Sequence, residues 1–211
     1  MLTNSTRKKE NKRLVERFLG LISEMIAGRQ FLLDMLPKGS IGAEIGVHFG
    51  DFSQRIIKSV SPKELHLIDP WEHQTSSTYE KSWYGGLVKG GQAEMDERYE
   101  SIFRRFDRSI RDEQVKVHRG YSSNILQQFP DEHLDWVYID GNHLYDFVKE
   151  DLELSLQKVK PGGYITGDDY MNAGWWEGGV KKAADEFAKN PAVQLIELRN
   201  RQFIFRKKAS L

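Results

Sequence analysis

The chain has 211 residues, 31 basic and 31 acidic side chains and no cysteine. Its length suits one well-buried domain, and its balanced charge provides no general attraction to nucleic acid or to an anionic membrane. Without cysteine there can be no disulfide framework, thiolate zinc site or cysteine nucleophile, and we expect a cytoplasmic protein. Residues 4–13 are polar with no apolar leader behind them, and no apolar run has the length of a membrane span.

Apolar residues recur at helical spacing between residues 14 and 36, which predicts an N-terminal helical extension over residues 1–38. Beyond it, short apolar runs alternate with amphipathic segments, which indicates a mostly parallel α/β sheet covered on both faces. We expect Pro161 and Gly162 to end the second predicted helix. The predicted strands cover residues 41–45, 64–68, 115–118, 134–139 and 164–166, and the predicted helices cover residues 51–60 and 145–159.

Two segments interrupt this alternation. Residues 71–111 follow the second strand and contain several aromatic side chains, two glycine pairs and a charged helical stretch. They form either a lid over the carboxyl edge of the sheet or an ordinary surface excursion. Residues 193–198 and 202–206 read as strands whose connection is too short for a helical crossover, so they must form an antiparallel hairpin.

A glycine loop, Glu44-Ile-Gly46-Val-His48-Phe-Gly50, follows the first strand and opens a helix. Its glycines permit a tight turn and let a ligand approach the backbone. A dinucleotide site requires another glycine where His48 stands, and Asp51 at the helix start is unfavourable for a pyrophosphate. The loop favours a cofactor with a cationic centre and an amino-acid tail. Glu44 would face the ammonium group of that tail, or it would hydrogen-bond the loop itself.

Polar residues end the second and third strands. Asp69 stands roughly where a nucleotide-binding unit places the acid that accepts hydrogen bonds from ribose hydroxyls, although it could instead turn the chain before Pro70. After the third strand, Tyr121 and Ser122 would form the wall of an adenine site with a ring face and a hydroxyl group. Ser122 is also a good residue for capping the helix that follows.

Aspartates end the fourth and fifth strands: Asp140 on the fourth, and Asp168 and Asp169 on the fifth. Their carboxylates should meet at one edge, where unpaired like charges are costly. A bound cation, a protonated carboxylate or a nearby lysine or arginine would relieve the repulsion, and one aspartate could instead cap a turn. His143 is the candidate general base because imidazole titrates near neutral pH; alternatively it hydrogen-bonds the loop.

Together these features resemble the class I S-adenosylmethionine-dependent methyltransferases, over residues 39–207. The segments Ile139-Asp-Gly-Asn-His-Leu-Tyr145 and Val159-Lys-Pro-Gly-Gly-Tyr-Ile-Thr-Gly-Asp-Asp-Tyr170 are similar to those of small-molecule O-methyltransferases, which include macrolide and aminocoumarin sugar O-methyltransferases. The resemblance implies a Rossmann-like, doubly wound sheet of seven strands with a C-terminal antiparallel hairpin, in a methyltransferase domain over residues 39–211. The chain departs from the superfamily at His48, where a glycine is common.

The resemblance, combined with the positions above, assigns residues to ligands. Mg²⁺ or another divalent cation would be held by Asp140, Asp168 and Asp169, and would orient an acceptor hydroxyl for in-line attack on the sulfonium methyl group. His143 would be the catalytic base. The residues expected to bind S-adenosyl-L-methionine are Glu44, Gly46, Gly50, Asp69, Tyr121, Ser122 and Asp140.

The expected partner is a small hydroxylated acceptor such as a sugar or a natural-product intermediate, with no nucleic acid and no membrane involved. Trp175 and Trp176 would form a wall of the acceptor pocket, or would contact a second subunit in a homo-oligomer. Two other functions remain open. One is a non-catalytic protein that retains the fold, and the other is a nucleotide-dependent oxidoreductase, which the missing glycine and the terminal hairpin disfavour.

Overall fold

The structure is a computed structural model that describes residues 28–209. Most of the predicted N-terminal helix lies outside these residues. Its described part contains one short helix, α1, Gln30–Met35, which buries Leu32 and Leu33. Within residues 28–209, no helix has both the length and the apolarity needed to cross a membrane.

Seven strands form one sheet in the order β3-β2-β1-β4-β5-β7-β6. The first five strands are parallel to one another, whereas β7 is antiparallel to both β5 and β6. This arrangement confirms the Rossmann-like, doubly wound sheet and its C-terminal hairpin. The strands are β1 Ile41–Ile45, β2 Glu64–Asp69, β3 Val115–Arg119, β4 Leu134–Ile139, β5 Val159–Gly167, β6 Val193–Arg199 and β7 Gln202–Lys207.

Helices cover both faces of the sheet, and a separate apolar cluster lies on each face. Strand β4 shows why there are two. Its successive side chains point to opposite faces, so Val137 and Ile139 join one cluster, and Trp136 and Tyr138 join the other. The remaining helices are α2 Asp51–Val60, α3 Gly91–Arg111, α4 Ser122–Leu126, α5 Tyr145–Lys158 and α6 Gly179–Phe187, and a 3-10 turn covers Ser77–Tyr79.

The helix predicted over residues 145–159 is present and ends one residue earlier, but Pro161 and Gly162 lie in a strand and do not form the turn that ends it. Helix α5 ends at Lys158, and β5 begins at the next residue, Val159, so the proline lies inside the strand. The pairing of β4 with β5 shifts register at this end of the two strands. Proline, which has no N–H to donate, is tolerated in a strand at such an irregularity.

Candidate functional site

The carboxyl ends of β1, β2 and β4 meet at Gly46. The Gly46 N–H donates to the carbonyl of Ile68 at 2.9 Å, and the Asp140 N–H donates to the carbonyl of Ile45 at 2.7 Å. Gly46 has φ +87°, and a Cβ there would clash with the backbone carbonyl of Asp140. Only glycine fits this turn, which places the glycine loop beside the end of β4.

Glu44 is buried beneath the glycine loop, with 1% of its surface exposed. The Ser53 hydroxyl of α2 donates a hydrogen bond to its carboxyl group. Burial raises the pKa of Glu44 to about 8, against the lowering effect of the Ser53 hydrogen bond. Near neutral pH the side chain is therefore mostly protonated, and a cationic group brought against it would favour its ionised form.

Asp69 is buried at the end of β2 and accepts several hydrogen bonds. One carboxylate oxygen accepts from the backbone N–H groups of Val47 at 2.8 Å and His48 at 3.1 Å, and also from the Tyr84 hydroxyl. The other oxygen accepts from the N–H of Trp71 at 2.7 Å. Burial raises its pKa, and these hydrogen bonds oppose the rise. The carboxylate thus joins the glycine loop to the segment after β2, and a ribose here would have to share or replace the Tyr84 contact.

Residues 71–111 fold back over the glycine loop. The Trp71 indole N–H donates to the carbonyl of His48 at 3.0 Å, and the Arg105 guanidinium of α3 donates to the carbonyl of Phe49 at 2.7 Å. Arg98, also on α3, donates to the carbonyl of Trp83 at 2.7 Å. These contacts place the segment over the predicted cofactor loop, and its function as a lid stays a prediction.

His48 occupies the loop position where relatives often have glycine. Burial and the nearby Arg98 charge lower its pKa to about 4, so its imidazole is neutral near pH 7. Its ring contacts the aromatic rings of Phe49, Trp83 and Tyr84. The imidazole therefore belongs to the contact between the loop and residues 71–111.

The predicted adenine wall lies at the start of α4. Ser122 is the first helical residue and hydrogen-bonds the buried Asp151 of α5, while Tyr121 occupies the N-cap position. Burial raises the pKa of Asp151 to about 7. The Tyr121 hydroxyl accepts a hydrogen bond from Gln74 at 3.3 Å, and 39% of the tyrosine surface is exposed. Tyr121 is thus accessible to a ligand.

The aspartates do meet at one edge, and two arginines neutralise them. The Arg29 guanidinium donates to Asp140 at 3.2 Å and also to Asp168. Its central carbon lies over the Phe52 ring, 5.0 Å from the ring centre. Arg201 pairs with Asp169. The sequence left open how the repulsion between the carboxylates is relieved. In this structure arginine side chains relieve it.

At the aspartate edge, the side chains close enough together to hold a metal ion are Asp140, His143 and Asp169. Each offers a ligand atom, and these atoms lie within 4.8 Å of one another. The His143 Nε2 atom is 2.9 Å from Asp169 and 3.6 Å from Asp140. Burial would raise the pKa of Asp140, but the Arg29 charge and the His143 hydrogen bond bring it below its usual value. His143 thus stands beside the predicted metal ligands.

Asp168 lines the same cavity as Asp140 and His143, but its oxygens have other partners. One of its oxygens contacts Arg29, and the other accepts from the Gln202 amide and from the N–H of Asp169. Gln202 in turn accepts a hydrogen bond from the Tyr138 hydroxyl at 3.1 Å. Metal binding by all the predicted aspartates therefore stays a prediction, and it requires Asp168 to exchange Arg29 for the ion.

Aromatic side chains border the aspartate edge. The Tyr79 hydroxyl accepts from the Asn142 amide at 2.8 Å, and its ring lies edge-on to Trp175 with a centroid distance of 5.3 Å. Trp176 packs against the His143 ring at 4.7 Å. The predicted acceptor wall and residues 71–111 are thus in contact.

Sequence reasoning did not find Arg29, Gln202 or Tyr84. Arg29 lies 111 and 139 positions from the aspartates that it contacts, and no local pattern indicates such a pairing. Gln202 is a polar residue at the start of the last strand, where sheet order alone places it beside β5. Tyr84 could have been suspected from the aromatic content of residues 71–111.

The sequence matches the family described as Methyltransferase domain (Methyltransf_24) over residues 43–170, which is more than half of the chain. No curated protein matches it significantly.

Several solved structures share the fold. The O-methyltransferase NovP has a TM-score of 0.60 and 22% identity, over 89% of this chain and 81% of NovP. An O-methyltransferase from Bacillus cereus in complex with SAH has a TM-score of 0.55 and 17% identity, over 85% of this chain and 78% of that one. A putative rRNA-methylase from Clostridium thermocellum has a TM-score of 0.61 and 12% identity, over 88% of this chain and 97% of that one.

At these identities the likenesses show the fold and no more. The family match covers the glycine loop, the end of β2 and the aspartate edge. The strand order with its antiparallel β7 is the arrangement expected from the resemblance. The chain therefore belongs to the class I S-adenosylmethionine-dependent methyltransferases.

Proposed function

We propose that this protein transfers the methyl group of S-adenosyl-L-methionine to a hydroxyl group of a small-molecule acceptor, with a divalent cation at the aspartate edge. The observation that carries the proposal is the cluster of Asp140, His143 and Asp169, whose ligand atoms lie within 4.8 Å of one another. In such a cluster the histidine can accept a proton, and the carboxylates can bind a cation.

The donor set fits a hard divalent cation. Asp169 Oδ1 is buried and paired with Arg201, so a cation bound to this oxygen would take the place of the arginine. Asp140 and Asp169, joined by Asp168 once it leaves Arg29, supply the oxygen ligands that Mg²⁺ prefers. When bound, the cation would lower the pKa of an acceptor hydroxyl and fix its position.

The remaining steps belong to side chains of this chain. The carboxylate of Glu44 would hold the ammonium group of the cofactor, Asp69 the ribose, and Tyr121 the adenine. His143 Nε2 lies 2.9 Å from Asp169 and would donate its N–H to that carboxylate, so Nδ1 would accept the proton of the acceptor hydroxyl as the oxygen attacks the methyl group. Residues 71–111 would exclude water from the reacting atoms, as lids do.

Two proteins with this fold are described as O-methyltransferases, which supports oxygen as the target atom. Another is described as a putative rRNA-methylase, so an RNA acceptor has to be tested too. The equal numbers of acidic and basic side chains disfavour RNA, because binding to a phosphate backbone depends on an excess of lysine and arginine.

The test is methyl transfer from labelled S-adenosylmethionine to a panel of sugars, catechols and other hydroxylated small molecules, with ribosomal RNA in a parallel arm. Each reaction is run with Mg²⁺ and with a chelator. Product on a small-molecule hydroxyl that disappears with the chelator supports the proposal. Product on RNA alone, on nitrogen alone, or at equal rates with the chelator contradicts it.

A further inference from the structure

A second group of titratable side chains lies at the other end of the sheet. Glu64 and His66 are on β2, and His133 immediately precedes β4. Each offers a ligand atom, and the three atoms lie within 4.8 Å of one another. Glu64 begins the strand that Asp69 ends, so this histidine cluster is about 17 Å from the cofactor edge at roughly 3.3 Å per strand residue. None of the residues proposed for methyl transfer belongs to this cluster.

His66 is buried, with 4% of its surface exposed, and its Nε2 atom lies 2.7 Å from the Oε1 atom of Glu64. Buried polar atoms are normally paired, and the carboxylate is the partner of this ring nitrogen. Imidazole nitrogen and carboxylate oxygen are both zinc ligands, so the two facing atoms can hold one ion between them.

The other ring nitrogen of His66 is held in place. Its Nδ1 atom lies 2.9 Å from Nε2 of His118 on β3. In metal sites, a hydrogen bond to the second ring nitrogen fixes the tautomer and orients the ligating nitrogen. The Phe129 ring packs edge-on against His66 at 4.6 Å and shields one side of the cluster. Burial and the nearby His118 lower the pKa of His66 to about 4, which keeps the ring in its neutral form.

We propose that Glu64, His66 and His133 form a binding site for a divalent transition-metal ion of the zinc type, with His118 as the residue that orients His66. Imidazole nitrogens suit zinc, copper and nickel better than Mg²⁺ or Ca²⁺. Three protein ligands leave a fourth zinc position for water. The site therefore differs in its metal preference from the oxygen-rich aspartate edge.

Among the contacts described for Glu64, the one with Lys116 would repel a bound cation. Its Nζ atom lies 2.8 Å from the Oε1 atom of Glu64. About 45% of the Lys116 side chain is exposed, so it can turn into solvent when a metal binds. Removal of this lysine should strengthen metal binding, because it releases the carboxylate and removes a like charge.

A metal here would connect strands that do not pair directly. Strand β1 lies between β2 and β4, and Glu64 pairs in register with Ile41 of β1. The ion would join the start of β2 to the start of β4 across β1. A ligand that binds only the folded state stabilises it, so zinc should raise the melting temperature. This inference does not rest on the proposed methyl transfer.

The test is titration with zinc alone, followed by calorimetry and by thermal melting, on the natural chain and single variants. His143→Gln removes the imidazole from the aspartate edge, and a zinc site should survive in it. His133→Gln removes a partly exposed ligand of the histidine cluster and should weaken that zinc site at least tenfold, since even a lost supporting contact costs that much. His73→Gln is the matched control and should bind zinc like the natural chain.

Unchanged zinc affinity and stoichiometry in His133→Gln would overturn the proposal, as would the loss of all zinc binding in His143→Gln. If His133→Gln does not fold, Lys116→Gln decides. It changes an exposed side chain and should bind zinc more tightly than the natural chain. Equal or weaker binding by Lys116→Gln overturns the proposal.

Discussion

The aspartate edge and the histidine cluster lie at opposite ends of the parallel part of the sheet, and their charges are balanced differently. At the aspartate edge, Arg29 and Arg201 pair with the carboxylates. A metal ion can bind these carboxylates only if the arginine side chains move away. In the histidine cluster, imidazole rings lie beside one carboxylate and one exposed lysine. The aspartate edge therefore offers a metal ion carboxylate oxygens, whereas the histidine cluster offers mainly imidazole nitrogens.

This difference shows how position along a strand determines the chemistry that a sheet can present. Aspartates that end strands share an edge with the glycine loop and can act on a bound ligand. Glu64 and His66 lie within a strand, two residues apart and on one face, where β-pleating fixes them against the neighbouring strand. Such a group is rigid but distant from the cofactor, which suits a structural ion better than catalysis.

The largest expected effect comes from Asp169→Asn at the aspartate edge. The substitution removes a negative charge but keeps the size of the side chain, so metal-dependent methyl transfer should fall about a thousandfold, as expected when a several-kcal/mol electrostatic contribution is lost. S-adenosylhomocysteine affinity should stay within a factor of about three, since this residue is not assigned to the cofactor. Initial rates and calorimetry measure the two quantities.

Asp112→Asn is the matched control for this substitution, because Asp112 is exposed and makes only a surface ion pair with Arg108. It should leave both quantities unchanged. An equal loss of cofactor affinity and rate in Asp169→Asn would contradict the separation of metal and cofactor residues.

His143→Gln should lower kcat by about a hundredfold or more, the usual contribution of a general base. Glutamine can still donate a hydrogen bond to Asp169 but cannot accept the acceptor's proton. The pH profile separates catalysis from positioning: a base gives the natural enzyme an acidic limb in kcat, and that limb should vanish in the variant. A variant that keeps the limb would show that His143 only positions the carboxylates.

Glu44 predicts a pH dependence of cofactor binding. Its pKa of about 8 in the free protein means that a proton must leave when the ammonium group of the ligand arrives. Affinity for S-adenosylhomocysteine should therefore increase as the pH rises toward 8, by up to about tenfold per pH unit, and then level off. Calorimetry at several pH values, in buffers of different ionisation enthalpy, measures the affinity and the proton released.

The same pKa acts on stability with the opposite sign. The native state binds the Glu44 proton more tightly than the unfolded chain, whose carboxyl has a pKa near 4.5. The contribution of Glu44 to the free energy of unfolding therefore decreases as the pH rises through the window from 4.5 to about 8. Glu44→Gln should bind the ligand more weakly and without this pH dependence. An unchanged pH dependence would assign the proton to another group.

Arg29→Met should change the rate of methyl transfer less than the other substitutions. Its main effects should be on stability and on Mg²⁺ affinity. Loss of the guanidinium leaves Asp140 and Asp168 without their partner, so unfolding should become easier by about 3 kcal/mol. Mg²⁺ should bind at least about tenfold more tightly, because a like charge has gone. Added Mg²⁺ should then restore part of the lost stability, which thermal melting detects. Weaker Mg²⁺ binding would mean that the arginine assists the metal.

Much of the fold could be predicted because its signals are local. The apolar runs that end at Gly46, Asp69 and Asp140 marked three parallel strands, and the short link between the last two strands required an antiparallel hairpin. The start of β5 was missed because Pro161 and Gly162 normally end a helix without continuing into a strand. There the pairing with β4, a long-range contact, overrides the local preference.

The candidate site was predictable only in part. The aspartates were found because they interrupt apolar runs, but the partners that satisfy them come from distant parts of the chain. Arg29 precedes α1 by one residue, and Gln202 starts the last strand. The histidine cluster gave no signal, because Glu64 and His66 read as polar positions of an ordinary strand and His133 as a loop residue before another strand. Only the strand order brings them together.

The most direct test of the central claim is calorimetric titration of the natural chain with S-adenosylhomocysteine, with NAD as the comparison ligand. Binding of one S-adenosylhomocysteine per chain, weakened by Asp69→Asn and absent with NAD, is the predicted result. Binding of NAD in preference to S-adenosylhomocysteine, or of neither ligand by folded, ligand-free protein, would contradict the assignment of this sheet edge to methyl transfer.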